Sequence, residues 1–224
     1  MTSQGMQHPP AIIGVGRNYA AHADELGYER PVAPVLFYKN PAAIIGNGDA
    51  IVLPSIGEDR ELGVDYEGEL AVVIGQDCCD VPESAAMDVI SHYRVANDVS
   101  QRWWQWEGSG GQFCRGKSFD TFCPLSEPIE AAHVSDPQSL TIRTLLNDKV
   151  VQDSTTARML FPIPELVSEI SRDTTLLQGT IILTGTPAGV GAAQDPPRFL
   201  RPGDRVTIEI ATVGSLSNPV VAKG

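Results

Sequence analysis

Short apolar runs alternate along the chain with turns rich in glycine, proline, asparagine and aspartate. Residues 11–14 read as a buried strand, followed by a turn over 15–19. Residues 20–26 read as one or two helical turns ended by Gly27. From 31 to 54 prolines interrupt the apolar runs, which predicts short strands, 35–39 among them, with 46–49 as a tight turn. Residues 55–63 are a polar, charged loop. The β-formers of 70–74 then end at Gly75, a strand entering a turn. A helix is predicted over 82–89 with Pro82 in its first turn, a strand over 91–99, a helix over 101–107 and a glycine turn over 108–111. Residues 115–120 form a compact polar segment.

The second half predicts a hairpin, 140–146 and 150–151 about an Asn147-Asp148 turn, then a helix over 163–170 with Pro164 at its start. Residues 181–183 form a buried strand that delivers the loop 184–191, and strands over 205–211 and 215–220 flank a turn near Gly214. Many short strands with few helices between them predict an α+β, β-rich fold rather than a doubly wound sheet. The organisation expected is a flexible lead, 1–10, and one catalytic domain, 11–224.

Composition narrows the function. The chain has 224 residues, enough for a sizeable core. A net charge of −12 argues against nucleic acid and anionic membrane surfaces as partners. No apolar run reaches the length of a membrane span, and residues 1–10 carry no basic segment followed by an apolar one. Cys78, Cys79, Cys114 and Cys123 fit neither a zinc pattern nor a disulfide framework, so a cytoplasmic protein with reduced thiols is expected. Gly14-x-Gly16 lacks the third glycine of a dinucleotide fingerprint, and 184–191 lacks the Gly-Lys-Ser/Thr ending of a phosphate loop.

The candidate chemistry lies in acidic positions. Glu67 and Glu69 are two apart, so on an extended chain their carboxylates leave on one face. Their repulsion needs an offset, and a hard divalent cation supplies one. The same pair also fits a solvated strand end. Asp98, closing an apolar strand, is a third carboxylate on a rigid support. Oxygen ligands without histidine select magnesium, calcium or manganese over zinc or copper. Lys117 sits among glycines and aromatics, where partial burial beside a metal would lower its pKa and suit it to acid/base work. His22 and Glu25 share a helix face, as a surface pair would.

Six pieces in order carry a family resemblance: 14–19 with His22 and Glu25, 66–70, 96–100, 115–120, 184–187 and Gly203-Asp204. The chain resembles the fumarylacetoacetate hydrolase family in its short, single-domain form. The resemblance implies a mixed β-sheet roll and a homodimer. It makes Glu67, Glu69 and Asp98 the ligands of Mg2+ or Mn2+, Lys117 the active-site lysine, and His22 with Glu25 a water-activating dyad on a mobile lid. It places Arg102, Gln105, Lys39 and Thr186 against the substrate acid. The substrate implied is a small 2-oxo or dioxo acid. The reaction favoured is C–C hydrolysis of an acylpyruvate through a metal-stabilised pyruvate enolate. Oxaloacetate decarboxylation, oxaloacetate keto–enol tautomerisation and hydroxyheptadienedioate isomerisation are the alternatives, and an inactive metal-binding scaffold is the rival from another class. Where the family commonly reads Asp-Val-Ser-Ala-Arg, this chain has Gln101 before Arg102, then Trp103, Trp104 and Trp106. That bulk is expected in the core or an oligomer contact ahead of a pocket wall.

Overall fold

The computed structural model describes residues 8–56 and 61–224. Residues 1–7 of the expected lead and 57–60 of the expected loop lie outside the described residues. Two mixed sheets dominate. The first runs, in spatial order, Ile129–Glu130, Ile90–Asn97, Gly68–Ile74, Ile181–Leu183, Ile12–Gly16 and Val35–Lys39. The second runs Lys149–Thr155, Thr141–Leu146, Arg205–Ile210, Gly214–Ala222 and Ile51–Leu53. Each contains one parallel pair, Ile12–Gly16 with Ile181–Leu183 and Gly214–Ala222 with Ile51–Leu53. The fold is α+β and strand-rich, as the alternating runs predict.

Period-2 patterning fixes which way each central strand faces. Leu70, Val72 and Ile74 enter the main core with Ile142, Ile208 and Leu216 of the second sheet. Ala71 enters a smaller cluster on the opposite face with Ile12, Ala96, Leu125 and Leu183. Ile163, Leu166, Val167 and Ile170 recur at helical spacing and are buried, which is why Ile163–Ser171 packs down as a helix.

The differences from the sequence reading have local causes. The first strand runs on to Gly16 because Val35–Lys39 pairs beside it as far as Gly16 and Val35. Residues Glu83–Val89 form a 3-10 helix rather than an α-helix, and the buried Ala86 and Val89 stand three apart, the repeat of that tighter helix. The strand predicted over 91–99 occupies Ile90–Asn97 and breaks before Ser100–Gln101. At that break Asn97 Oδ1 accepts the Glu67 N–H and Ser100 Oγ donates to the Asp98 carbonyl. The compact segment around Lys117 contains one helical turn, Cys114–Lys117. The second hairpin strand is longer than expected, Lys149–Thr155, because it pairs with the first as far as Thr155 opposite Thr141.

Candidate metal centre

The ladder between Gly68–Ile74 and Ile90–Asn97 pairs Gly68 with Asn97 and Glu69 with Ala96. One step further the Asp98 N–H donates to the Glu67 carbonyl at 2.9 Å. Glu67, Glu69 and Asp98 therefore meet at one end of two neighbouring strands, with one carboxylate oxygen from each within 4.8 Å of the other two. All three are buried. Like charges side by side on adjacent strands are destabilising unless something offsets them.

For Glu67 and Asp98 the protein's own cations supply the offset. Lys117 Nζ donates to Glu67 Oε2 at 2.7 Å and to Asp98 Oδ2 at 2.5 Å. Arg102 reaches Glu67 Oε1 at 2.6 Å while its Nε donates to Asp65 Oδ2 at 2.9 Å. Lys39 donates to Asp98 Oδ1 at 2.6 Å. Burial alone would raise the Glu67 carboxyl, but Lys117 and Arg102 outweigh it and hold the group below the usual carboxylate range. Burial likewise works against the charged Lys117, yet Asp98 and Glu67 raise its pKa. The depressed lysine expected from the sequence thus meets an opposite balance among the protein's own groups: its ammonium is clamped by two carboxylates.

Glu69 is different. Its Oε2 accepts the Gly185 N–H at 2.8 Å, and no ion pair to Glu69 exists among the described residues. Burial, then Asp98 and Glu67, push its pKa well above the ordinary value. A three-oxygen set with one carboxylate lacking an ion pair among the described residues fits a hard divalent cation better than the softer metals.

Two glycines shape this floor. A Cβ on Gly68 would stand 2.2 Å from Thr144 Oγ1, so only glycine lets the strand pass the second sheet there. Gly185 has φ +97, and a Cβ on it would meet Asn18 Cβ at 2.7 Å. That conformation aims its N–H at Glu69.

The rim comes from the first turn and helix. Asn18 is fully buried, donating to the Phe161 and Thr184 carbonyls and accepting from the Phe161 N–H. It anchors Ala20–Glu25, whose His22 Nδ1 lies 2.7 Å from Glu25 Oε1. Glu25 Oε2 in turn accepts the Gly189 N–H at 2.8 Å. His22, Glu67, Glu69, Arg102, Gln105, Lys117 and Thr186 all line one cavity of about 20 Å³, room for a water or two.

The remaining expected residues are placed as follows. Gln105 lines the cavity and accepts from Arg102 at 2.8 Å. Thr186 reaches the lining, but its hydroxyl donates to the Gly68 carbonyl and accepts from Gln152. Lys39 does not line the cavity and holds Asp98 instead. Trp106 is a wall of the cavity, contrary to the preference for core or oligomer contact. Its ring lies under Arg102 at 5.6 Å, so the bulk shelters that guanidinium.

Four contributors escape sequence reasoning. Asp65 shares the alternation of Glu67 and Glu69, a signal present but not used; it accepts from Arg102 and from the Gly191 and Ala192 N–H groups. Gln152 accepts the Gly68 N–H and donates to Thr186 and the Pro187 carbonyl; a lone glutamine gives no hint of this. Arg17 and Tyr28, both in the lining, form a stacked pair with the guanidinium 3.9 Å from the ring centroid.

Residues 11–221 match the family described as fumarylacetoacetate (FAA) hydrolase C-terminal. The chain is 44% identical over 215 residues to oxaloacetate tautomerase fahd2, mitochondrial, of Xenopus laevis, covering 96% of this chain and 66% of the frog protein. Among solved structures, 5-carboxymethyl-2-hydroxymuconate delta-isomerase from Mycobacterium smegmatis is 44% identical with a TM-score of 0.83, over 97% of this chain and 80% of that one. Fumarylacetoacetate hydrolase from psychrophilic Exiguobacterium antarcticum is 37% identical with a TM-score of 0.85, over 96% and 76%. No helix among the described residues is long and apolar enough to cross a membrane.

Proposed function

The chain belongs to the fumarylacetoacetate hydrolase family, and from that premise we propose that it is a divalent-metal-dependent tautomerase or isomerase of a small 2-oxo acid, oxaloacetate being the leading candidate. One observation carries the reading: an imidazole able to take and return a proton lines the same cavity as Glu67 and Glu69 of the three-carboxylate cluster. The names of the frog and mycobacterial relatives favour proton transfer over C–C hydrolysis, which reverses the order expected from the sequence.

The side chains divide the work. Glu25 holds Nδ1 of His22 as a hydrogen-bond donor, which leaves Nε2 free to accept a proton from carbon and give it back. Gly189 fixes Glu25, so the ring cannot swing away without breaking that contact. Lys117, kept charged by Glu67 and Asp98, is the proton donor for the substrate oxygen. Gln105 and Arg102 give the acid group donors on one wall. Glu67, Glu69 and Asp98 would hold the ion, Mg2+ or Mn2+ by their oxygen chemistry, and its contribution is to stabilise negative charge on the enol oxygen.

C–C hydrolysis of an acylpyruvate stays as the second reading, because the same imidazole faces room for a water. A panel of acetylpyruvate, fumarylpyruvate, oxaloacetate and a hydroxyheptadienedioate with added Mg2+ separates the two. The expected result is that enol–keto or double-bond conversion is the fastest reaction. Faster release of pyruvate from an acylpyruvate would instead establish hydrolysis.

A further inference from the structure

Three cationic side chains line the cavity, Arg17, Arg102 and Lys117. Arg102 is engaged by Asp65 and Glu67, and Lys117 by Glu67 and Asp98. Arg17 has no ion pair to a carboxylate among the described residues, and its Nε is buried without a hydrogen-bond partner. Such a group costs stability where it sits and is usually explained by a ligand or a water. Its backbone is held in the left-handed region at φ 59, an unusual conformation for a long side chain. Its guanidinium lies over Tyr28, 3.9 Å from the ring centroid. That stacking orients the planar fork without using any of its N–H donors.

A guanidinium with unspent donors, facing a cluster that would take the 2-oxo acid end of a substrate, is suited to a second carboxylate. We propose that Arg17 is a specificity-determining residue that receives the distal carboxylate of a dicarboxylic oxo acid and so selects diacids over monoacids. This rests on the reading of the site as an oxo-acid site. It extends that reading by naming which acids fit. The neutral faces of the lining, Val15, Leu26, Phe37 and Phe113, offer no other charge to such a group.

The test compares wild type, Arg17→Gln and Arg17→Lys on the enol of oxaloacetate and on its C4 ethyl ester, with Mg2+ present. Calorimetry runs in parallel on 3,3-difluoro-oxaloacetate, which has no C3 proton to move, and on its C4 ester. Arg17→Gln should raise KM and Kd for the diacids by about 10- to 100-fold, the worth of a hydrogen bond to a charged group. The esters should shift by no more than about threefold, and Arg17→Lys should fall between. Equal shifts for diacid and ester, or no shift for the diacid, would overturn the assignment. If wild type turns over neither oxaloacetate nor its ester, the proposed reaction fails, while the calorimetric pair still decides the role of Arg17.

Discussion

The floor and the rim of the cavity are built on opposite terms. The floor sits where two central strands end, and its carboxylates are buried and interlocked with Arg102, Lys117, Lys39 and backbone N–H groups. The rim is one turn and a six-residue helix, held down by Asn18 and by the Glu25–Gly189 contact. Only a water or two fits between them, far below the few hundred Å³ of an ordinary ligand pocket. Substrate entry therefore requires the rim to give way, and the rim has the fewer ties. On the proposed reading the floor would bring a hard cation and an oxo acid together, and the rim would set which bond or proton moves.

Breaking the floor should cost folding as well as function. Asp98→Ala leaves Lys39 and Lys117 buried with a partner missing, so a loss of about 3–5 kcal/mol is expected in urea unfolding, together with loss of turnover. Breaking the rim should cost function alone. His22→Ala should lower oxaloacetate turnover by about 10²–10³-fold. Its unfolding midpoint and Mg2+ affinity should stay near those of wild type. A large drop in stability would mean that the rim is part of the floor.

Gly185→Ala probes the joint between the two, since its Cβ would strike Asn18 of the rim while its N–H serves Glu69 of the floor. A loss of about 1–3 kcal/mol is expected from the strained backbone, read by thermal unfolding. The smallest effect concerns pH. Because burial, Asp98 and Glu67 raise the Glu69 pKa, the stability this group contributes is complete below about 4.5, its unfolded value, and is lost as pH rises through the folded one. Metal-free protein should thus weaken towards neutral pH. Mg2+ binding should release a proton and tighten as pH rises, seen as a growing gap in melting temperature with and without Mg2+.

The same contrast explains what was legible in the sequence. Glu67, Glu69 and Asp98 could be found because strand alternation and a strand end project them predictably. The strand ladder then supplied the one step, Glu67 beside Asp98, that no single-strand pattern contains. The helix carrying His22 and Glu25 was readable from its glycine stop, and their contact from its i,i+3 spacing. What stayed hidden depends on long-range packing: Gln152 crossing from the second sheet to Gly68, Arg102 tying Asp65, and Trp106 turning into the cavity wall. The helix expected over 82–89 is of the 3-10 kind, which the sequence does not distinguish because three-residue and 3.6-residue spacing barely differ over so few residues.

A divalent ion held by three carboxylates, on which oxo-acid turnover depends, is the proposed heart of the site, with Glu69 the ligand that has no ion pair among the described residues. This dependence is tested most directly by enol-oxaloacetate conversion in chelator-treated protein as Mg2+ is added back, wild type beside Glu69→Ala. Wild type should regain its rate with saturable dependence on Mg2+, and Glu69→Ala, still folded, should stay about 10³-fold or more below it. Full activity in chelator, or equal recovery in Glu69→Ala, would contradict the account.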